Sequence, residues 1–140
     1  MTDENTDDEQ RAAMIAASHE RRKRIADHYA DATPRFLAAW KQAVEYIGPQ
    51  YFECRDVDSI KDATDKNQLR PIKQAINCRL ATCSVGEGVF IGVIISFFND
   101  QWGSNICDSF GYYGVGGAAN RLELDELEIV IELMNSHTGW

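Results

Sequence analysis

No segment narrows the choice of fold more than Val89–Phe98. It is ten residues long and holds no charge, no proline and no polar side chain larger than serine. Taken alternately, Val89, Ile91, Val93, Ile95 and Phe97 fall on one side. Phe90, Ile94 and Phe98 fall on the other, with Gly92 and Ser96 between them. Both sides are apolar, so both must be covered, and the rest of the chain has to be arranged around them. The run is rich in β-branched and aromatic residues, which favours a strand. It is too short to cross a bilayer as a helix, which takes about 20 residues.

Its neighbours extend that reading. Ile76, Cys78, Leu80 and Thr82 alternate with Asn77, Arg79, Ala81 and Cys83, and Val85-Gly86-Glu87-Gly88 supplies turn chemistry. Asn99-Asp100-Gln101-Trp102-Gly103 is a second turn candidate. Asn105–Tyr113 then places Ile106, Phe110 and Tyr112 on one face. Short turns join antiparallel neighbours, so the expectation is a three-stranded meander with Val89–Phe98 in the middle.

Helical signals lie on either side. Asp8–Ala32 is rich in Ala, Arg, Lys and Glu and free of Gly and Pro, but its apolar stripe is thin: Ile15, Ile25 and Tyr29. Thr33-Pro34 suits a helix entry and Gly48-Pro49 a stop. Between them Phe36, Leu37, Trp40, Val44 and Ile47 recur at helical spacing. A last helix is expected over Leu124–Ser136, with Leu127, Val130, Ile131 and Met134 as its buried stripe. Residues 50–73 read as irregular, although so long a connection implies an unrecognised element. The fold class that follows is α+β: two N-terminal helices, a three-stranded antiparallel meander and a C-terminal helix packed on the sheet. Residues 1–10 read as an acidic disordered tail and 11–140 as a single domain.

Charge is segregated along the chain. The net charge is −8, which argues against attraction of the whole molecule to nucleic acid or anionic membrane. Residues 1–10 carry Asp3, Glu4, Asp7, Asp8 and Glu9 and no base, whereas Arg21-Arg22-Lys23-Arg24 is a basic run. An acidic tail beside such a run can fold back on it. Met1 is followed by Thr2, Asp3 and Glu4 rather than by a basic start and an apolar run, so a cytoplasmic location is expected. Cys54, Cys78, Cys83 and Cys107 are then expected as reduced thiols. On a strand, Cys78 and Cys83 would face opposite ways and could share neither a metal nor a disulfide. No metal and no cofactor is expected.

Catalytic signals are weak. His19 and His28 lie on the charged helix and His137 near the end of the chain, and no serine or cysteine sits in a nucleophile-elbow sequence. Gly114-Val115-Gly116-Gly117 lacks the Lys-Ser or Lys-Thr of a phosphate loop, and the acids that follow it would repel phosphate. Glu87, Asp100 and Asp108 are carboxylates at turns or on a strand, where solvation is their ordinary state. The balance points away from an enzyme.

The leading expectation is a small acidic protein-interaction module without catalysis. One specific form is an inhibitor whose carboxylates occupy a basic, nucleic-acid-binding groove of a partner protein. Asp125, Glu128 and Glu132 on the last helix, with Trp102, Tyr112 and Tyr113, are its candidate contacts. The rival is a small enzyme or ligand-binding domain, its pocket between sheet and helices near Asp108, Tyr112 and Tyr113. A structural subunit of a homo-oligomer is a third possibility. Phe90, Ile94 and Phe98, left over by too few covering elements, are expected at a homodimer interface.

Overall fold

The computed structural model describes residues 2–112 and 114–140, so the expectation placed on Tyr113 lies outside the described residues. It is all-helical. Among the described residues there is no strand, only an isolated antiparallel bridge between Phe52 and Pro71. The meander, and with it the α+β class, is therefore overturned.

The chain divides into two compact units, Met1–Ala32 and Thr33–Trp140. The first is built on α1 (Thr2–Tyr29), a 28-residue helix. Helix formers without interruption explain its length, and Asp3 and Glu4 in the first turn suit the macrodipole. The acidic residues that read as a tail are the opening turns of this helix. Its apolar side chains stay uncovered, Met14, Ile15 and Ile25 all being more than half exposed.

The second unit opens with α2 (Ala32–Ile47), the helix announced by Thr33-Pro34. Phe36, Trp40, Val44 and Ile47 are buried as their spacing requires. Gly48 ends it at φ 131°, a conformation that favours glycine. The stretch that resisted reading contains three short 3₁₀ turns, Pro49–Tyr51, Ile60–Asp62 and Lys66–Leu69. Its two ends run side by side: the Glu53 amide donates to the Arg70 carbonyl at 2.7 Å and the Ile72 amide to the Tyr51 carbonyl at 2.9 Å. Phe52, Ala63 and Leu69 are buried in the core. The Trp40 indole N–H donates to the Leu69 carbonyl at 2.8 Å.

α3 (Lys73–Leu80), α4 (Val85–Phe98) and α5 (Asp100–Ser109) replace the three expected strands. A short α6 (Gly114–Ala119) and α7 (Leu124–Ser136) complete the unit. Val89–Phe98 is apolar all round because it is a central helix, not a central strand. The supposed turns are helix starts. Ser84 Oγ accepts from the Glu87 amide at 3.2 Å and caps α4, while Asn99 Oδ1 accepts from the Trp102 amide at 2.9 Å and caps α5.

α4 and α5 pack closely through small residues. Gly88, Gly92 and Ser96 stand four apart on α4 and face α5. A Cβ added at Gly103 would lie 2.4 Å from the Ser96 backbone and 2.6 Å from the Gly92 carbonyl oxygen. A Cβ at Gly92 would meet Cys107 Sγ at 2.7 Å. Gly92 and Ser96 do admit a close neighbour, and that neighbour is the next helix of the same chain. Phe90 and Ile94, expected at a homodimer interface, are 1% and 0% exposed within the single chain. Phe98 is half-buried, its ring edge-on to Trp102 at 6.2 Å and to Trp140 at 5.1 Å. The chain itself covers the face that was to recruit a second copy.

Candidate functional site

α7 places its apolar residues in two directions. Ile129, Val130 and Leu133 enter the core, with Glu126 and Ser136 on the same buried side. Leu127, Ile131 and Met134 do not. They line a groove of about 530 Å³ together with Val93 and Phe97 of α4, Ala118 of α6 and the polar side of α5. Ile131 is 47% exposed and Met134 53%. The stripe that reads as core is thus largely the wall of an open groove.

The polar edge of this groove comes from α5. Asp100, Ser104 and Asp108 stand four apart, one above another on the helix face. Tyr112 follows, its ring beneath the Arg121 guanidinium at 4.9 Å. Among the described residues its lining holds two carboxylates and no lysine or arginine, and the Arg121 guanidinium lies behind Tyr112. Cys107 also lines it, but as a thiol. Burial and the Asp108 carboxylate both push its titration up, and its Sγ lies 3.9 Å from the Val89 carbonyl, to which it donates. A thiol held protonated in this way is a poor nucleophile.

A second, polar cleft of about 310 Å³ lies between Tyr46 and Ile47 of α2 and the starts of α4 and α7. Arg79 pairs with Glu87 there at 2.8 Å, which holds the Glu87 carboxyl below its ordinary range. Glu126 is 3% exposed and accepts from the Glu123 amide at 2.9 Å, closing a capping box. Burial pushes its carboxyl up, and the charges of Glu123 and Glu87 add to the effect. Tyr46 is raised as well, by burial first and then by these acids.

The buried carboxyl sets a pH dependence. The folded chain holds the Glu126 proton to higher pH than the unfolded chain, so this group's contribution is present at low pH and lost as pH rises through the raised value. Glu126→Gln keeps an oxygen for the Glu123 amide and removes the charge. It is expected to raise the melting temperature at pH 7 and to leave it unchanged below about pH 4, where the carboxyl is protonated in both states. A pH series of thermal melts of both proteins reads this directly, and a lower melting temperature for the variant at pH 7 contradicts it.

The other expected site residues are dispersed. Asp125 and Glu128 are exposed on α7, as an acidic contact face requires. Glu132 is half-buried and paired with Arg35 of α2 at 3.0 Å. Trp102 is half-buried against Phe98. Tyr112 and Asp108 line the groove, where the ligand-binding rival had placed a pocket, although helices and not a sheet form its walls. His137 packs between Phe36 and Phe97, at 5.5 and 5.4 Å. Cys54 and Cys78 are exposed, and Cys78 lies on a helix, so the strand argument about its facing no longer applies. Val93, Phe97, Ile131 and Met134 were missed as groove residues. The available signal was α7 itself, which is apolar over more of its circumference than one core face needs.

Together, fold and groove define an all-helical unit with an open, apolar, acid-edged groove. No family model, curated protein or solved structure matches the chain.

Proposed function

We propose that this chain is a non-catalytic protein-interaction module. Its groove between α4, α5, α6 and α7 seats an apolar segment of a partner protein, and that segment is flanked by basic residues. The observation that carries the reading is the second apolar face of α7. A helix already supplying Ile129, Val130 and Leu133 to the core also presents Leu127, Ile131 and Met134 to an open groove. Apolar surface left open in this way marks an interaction site. Asp100 and Asp108 at the rim favour a basic flank on the partner and steer its approach. The protonated Cys107 thiol supports binding rather than covalent chemistry.

The inhibitor form of this reading adds Asp125 and Glu128, which stand exposed on α7 and can take the place of phosphates in a basic groove. The rival reading, a small-molecule site, draws on the groove's size, since ligand pockets run from about 300 to 1,000 Å³.

Affinity capture from the native host tests the proposal. The tagged chain is compared with Ile131→Glu plus Met134→Glu, and separately with Asp125→Lys plus Glu128→Lys. The first variant is expected to lose a bound protein by tenfold or more, about 1.4 kcal/mol or above. Its melting temperature should stay the same, because both side chains are exposed. The second is expected to slow association and weaken its salt dependence. Full retention by the first variant removes the groove from the interface. A thermal shift with one class of apolar small molecules, lost in the same variant, favours the rival.

A further inference from the structure

α1 carries most of its charges in two blocks with an apolar stretch between them, Arg11, Glu20 and Asp27 lying outside the blocks. Asp3, Glu4, Asp7, Asp8 and Glu9 occupy its first turns, and Arg21, Arg22, Lys23 and Arg24 lie in its second half. Ala12, Ala13, Met14, Ile15, Ala16 and Ala17 separate them. The helix is unbroken from Thr2 to Tyr29. At about 1.5 Å per residue, Asp7 and Arg24 are roughly 25 Å apart, well beyond the Debye length of about 8 Å at physiological salt. The acidic end cannot fold back on the basic run, as the sequence had suggested. Among the described residues, none of the four basic side chains lies within ion-pair distance of an acid. The neighbouring apolar surface is uncovered too, Met14 being 73% exposed and Ile15 53%.

We propose that α1 pairs with α1 of a second copy, antiparallel, about a two-fold axis between Ile15 and Ala16. The register follows from the charges. On the face that carries Asp7, Gln10, Met14, Ala17, Arg21 and Arg24, reversing one helix against the other about this point sets Asp7 opposite Arg24 and Gln10 opposite Arg21. Two-fold symmetry makes each pair occur twice. Met14 meets Ala17 at the crossing, where the small alanine lets the helices approach closely. Asp7, Gln10, Met14, Ala17, Arg21 and Arg24 recur at three- and four-residue spacing, so they form one continuous stripe. A parallel pair would set acid on acid and base on base along its length, which repulsion forbids. The pairing uses α1 alone and is independent of the groove.

The test is sedimentation velocity of the full chain at low and high salt. The wild type is expected to form a dimer at low salt, with an affinity roughly tenfold weaker or more at high salt. One variant carries Arg21→Glu, Arg22→Glu, Lys23→Glu and Arg24→Glu. The other carries Asp3→Lys, Asp7→Lys, Asp8→Lys and Glu9→Lys. Each alone is expected to be monomeric, because both ends of its contact face then carry the same sign. An equimolar mixture is expected to restore the dimer. Unaltered melting of the Thr33–Trp140 unit shows that both variants fold. A wild type that is monomeric at low salt overturns the proposal. So does a dimer that survives either reversal, or a mixture that stays monomeric.

Discussion

Trp40→Ala is expected to be the most damaging single substitution in the Thr33–Trp140 unit. Trp40 is fully buried, with ring centroids 4.8 Å from Trp140, 6.0 Å from Phe52 and 6.2 Å from Phe36. Its indole also satisfies the Leu69 carbonyl, which pins the 3₁₀ turn Lys66–Leu69 to α2. Truncating such a side chain costs about 3–5 kcal/mol, a large share of the roughly 5–15 kcal/mol that holds a domain folded. The melting temperature should fall by roughly 10–20 °C. Trp40→Phe keeps much of the apolar contact and strands only the Leu69 carbonyl, at about 1–3 kcal/mol. Thermal melts of the two variants separate the packing loss from the hydrogen-bond loss. Similar melting for Trp40→Ala and wild type would show that this cluster is not the centre of the core.

The second large effect is expected from the smallest of changes. Gly103→Ala adds one methyl group where the facing atoms are backbone, at 2.4 Å in Ser96 and 2.6 Å in Gly92. No rotamer change can relieve that contact, so α5 must move away from α4. Overpacking of this kind costs typically about 1–3 kcal/mol. Gly116→Ala is the internal control. It lies in α6 with nothing within 4 Å of its added Cβ, and it is expected to stabilise by up to about 1 kcal/mol. Opposite signs for the same substitution in chemical denaturation would confirm that the contact, and not glycine as such, decides the outcome. Equal, small effects would mean that the two helices are not tightly seated.

The same contact explains why half of the fold was hidden in the sequence. α2 was legible because its apolar residues alternate with polar ones at helical spacing between Thr33-Pro34 and Gly48-Pro49. α4 was not, since a helix apolar on every side has no period to read. Its β-branched and aromatic residues then favour a strand, a local preference that burial on all sides overrides. The helical sign that was present is small residues four apart, Gly88, Gly92 and Ser96, with Ser84 and Asn99 at the positions of N-caps. α5 lost its identity in turn, because Asn99 to Gly103 resembles a hairpin turn once α4 is taken for a strand. Of the candidate site, Asp108 and Tyr112 were legible as polar groups beside an apolar segment. The groove itself was not. Which apolar stripe of α7 enters the core depends on helices that are distant in sequence.

Asn99 joins α4 to α5 as the only residue between them, ending the first helix and capping the second. The closest packing of the unit is therefore made between segments adjacent along the chain. Contacts of such short sequence separation need little loop closure and form early in folding. The helical hairpin can assemble first and offer a preformed apolar surface. α2 and Trp140, whose contact spans a hundred residues, then settle on it at the slower rate that long-range closure imposes.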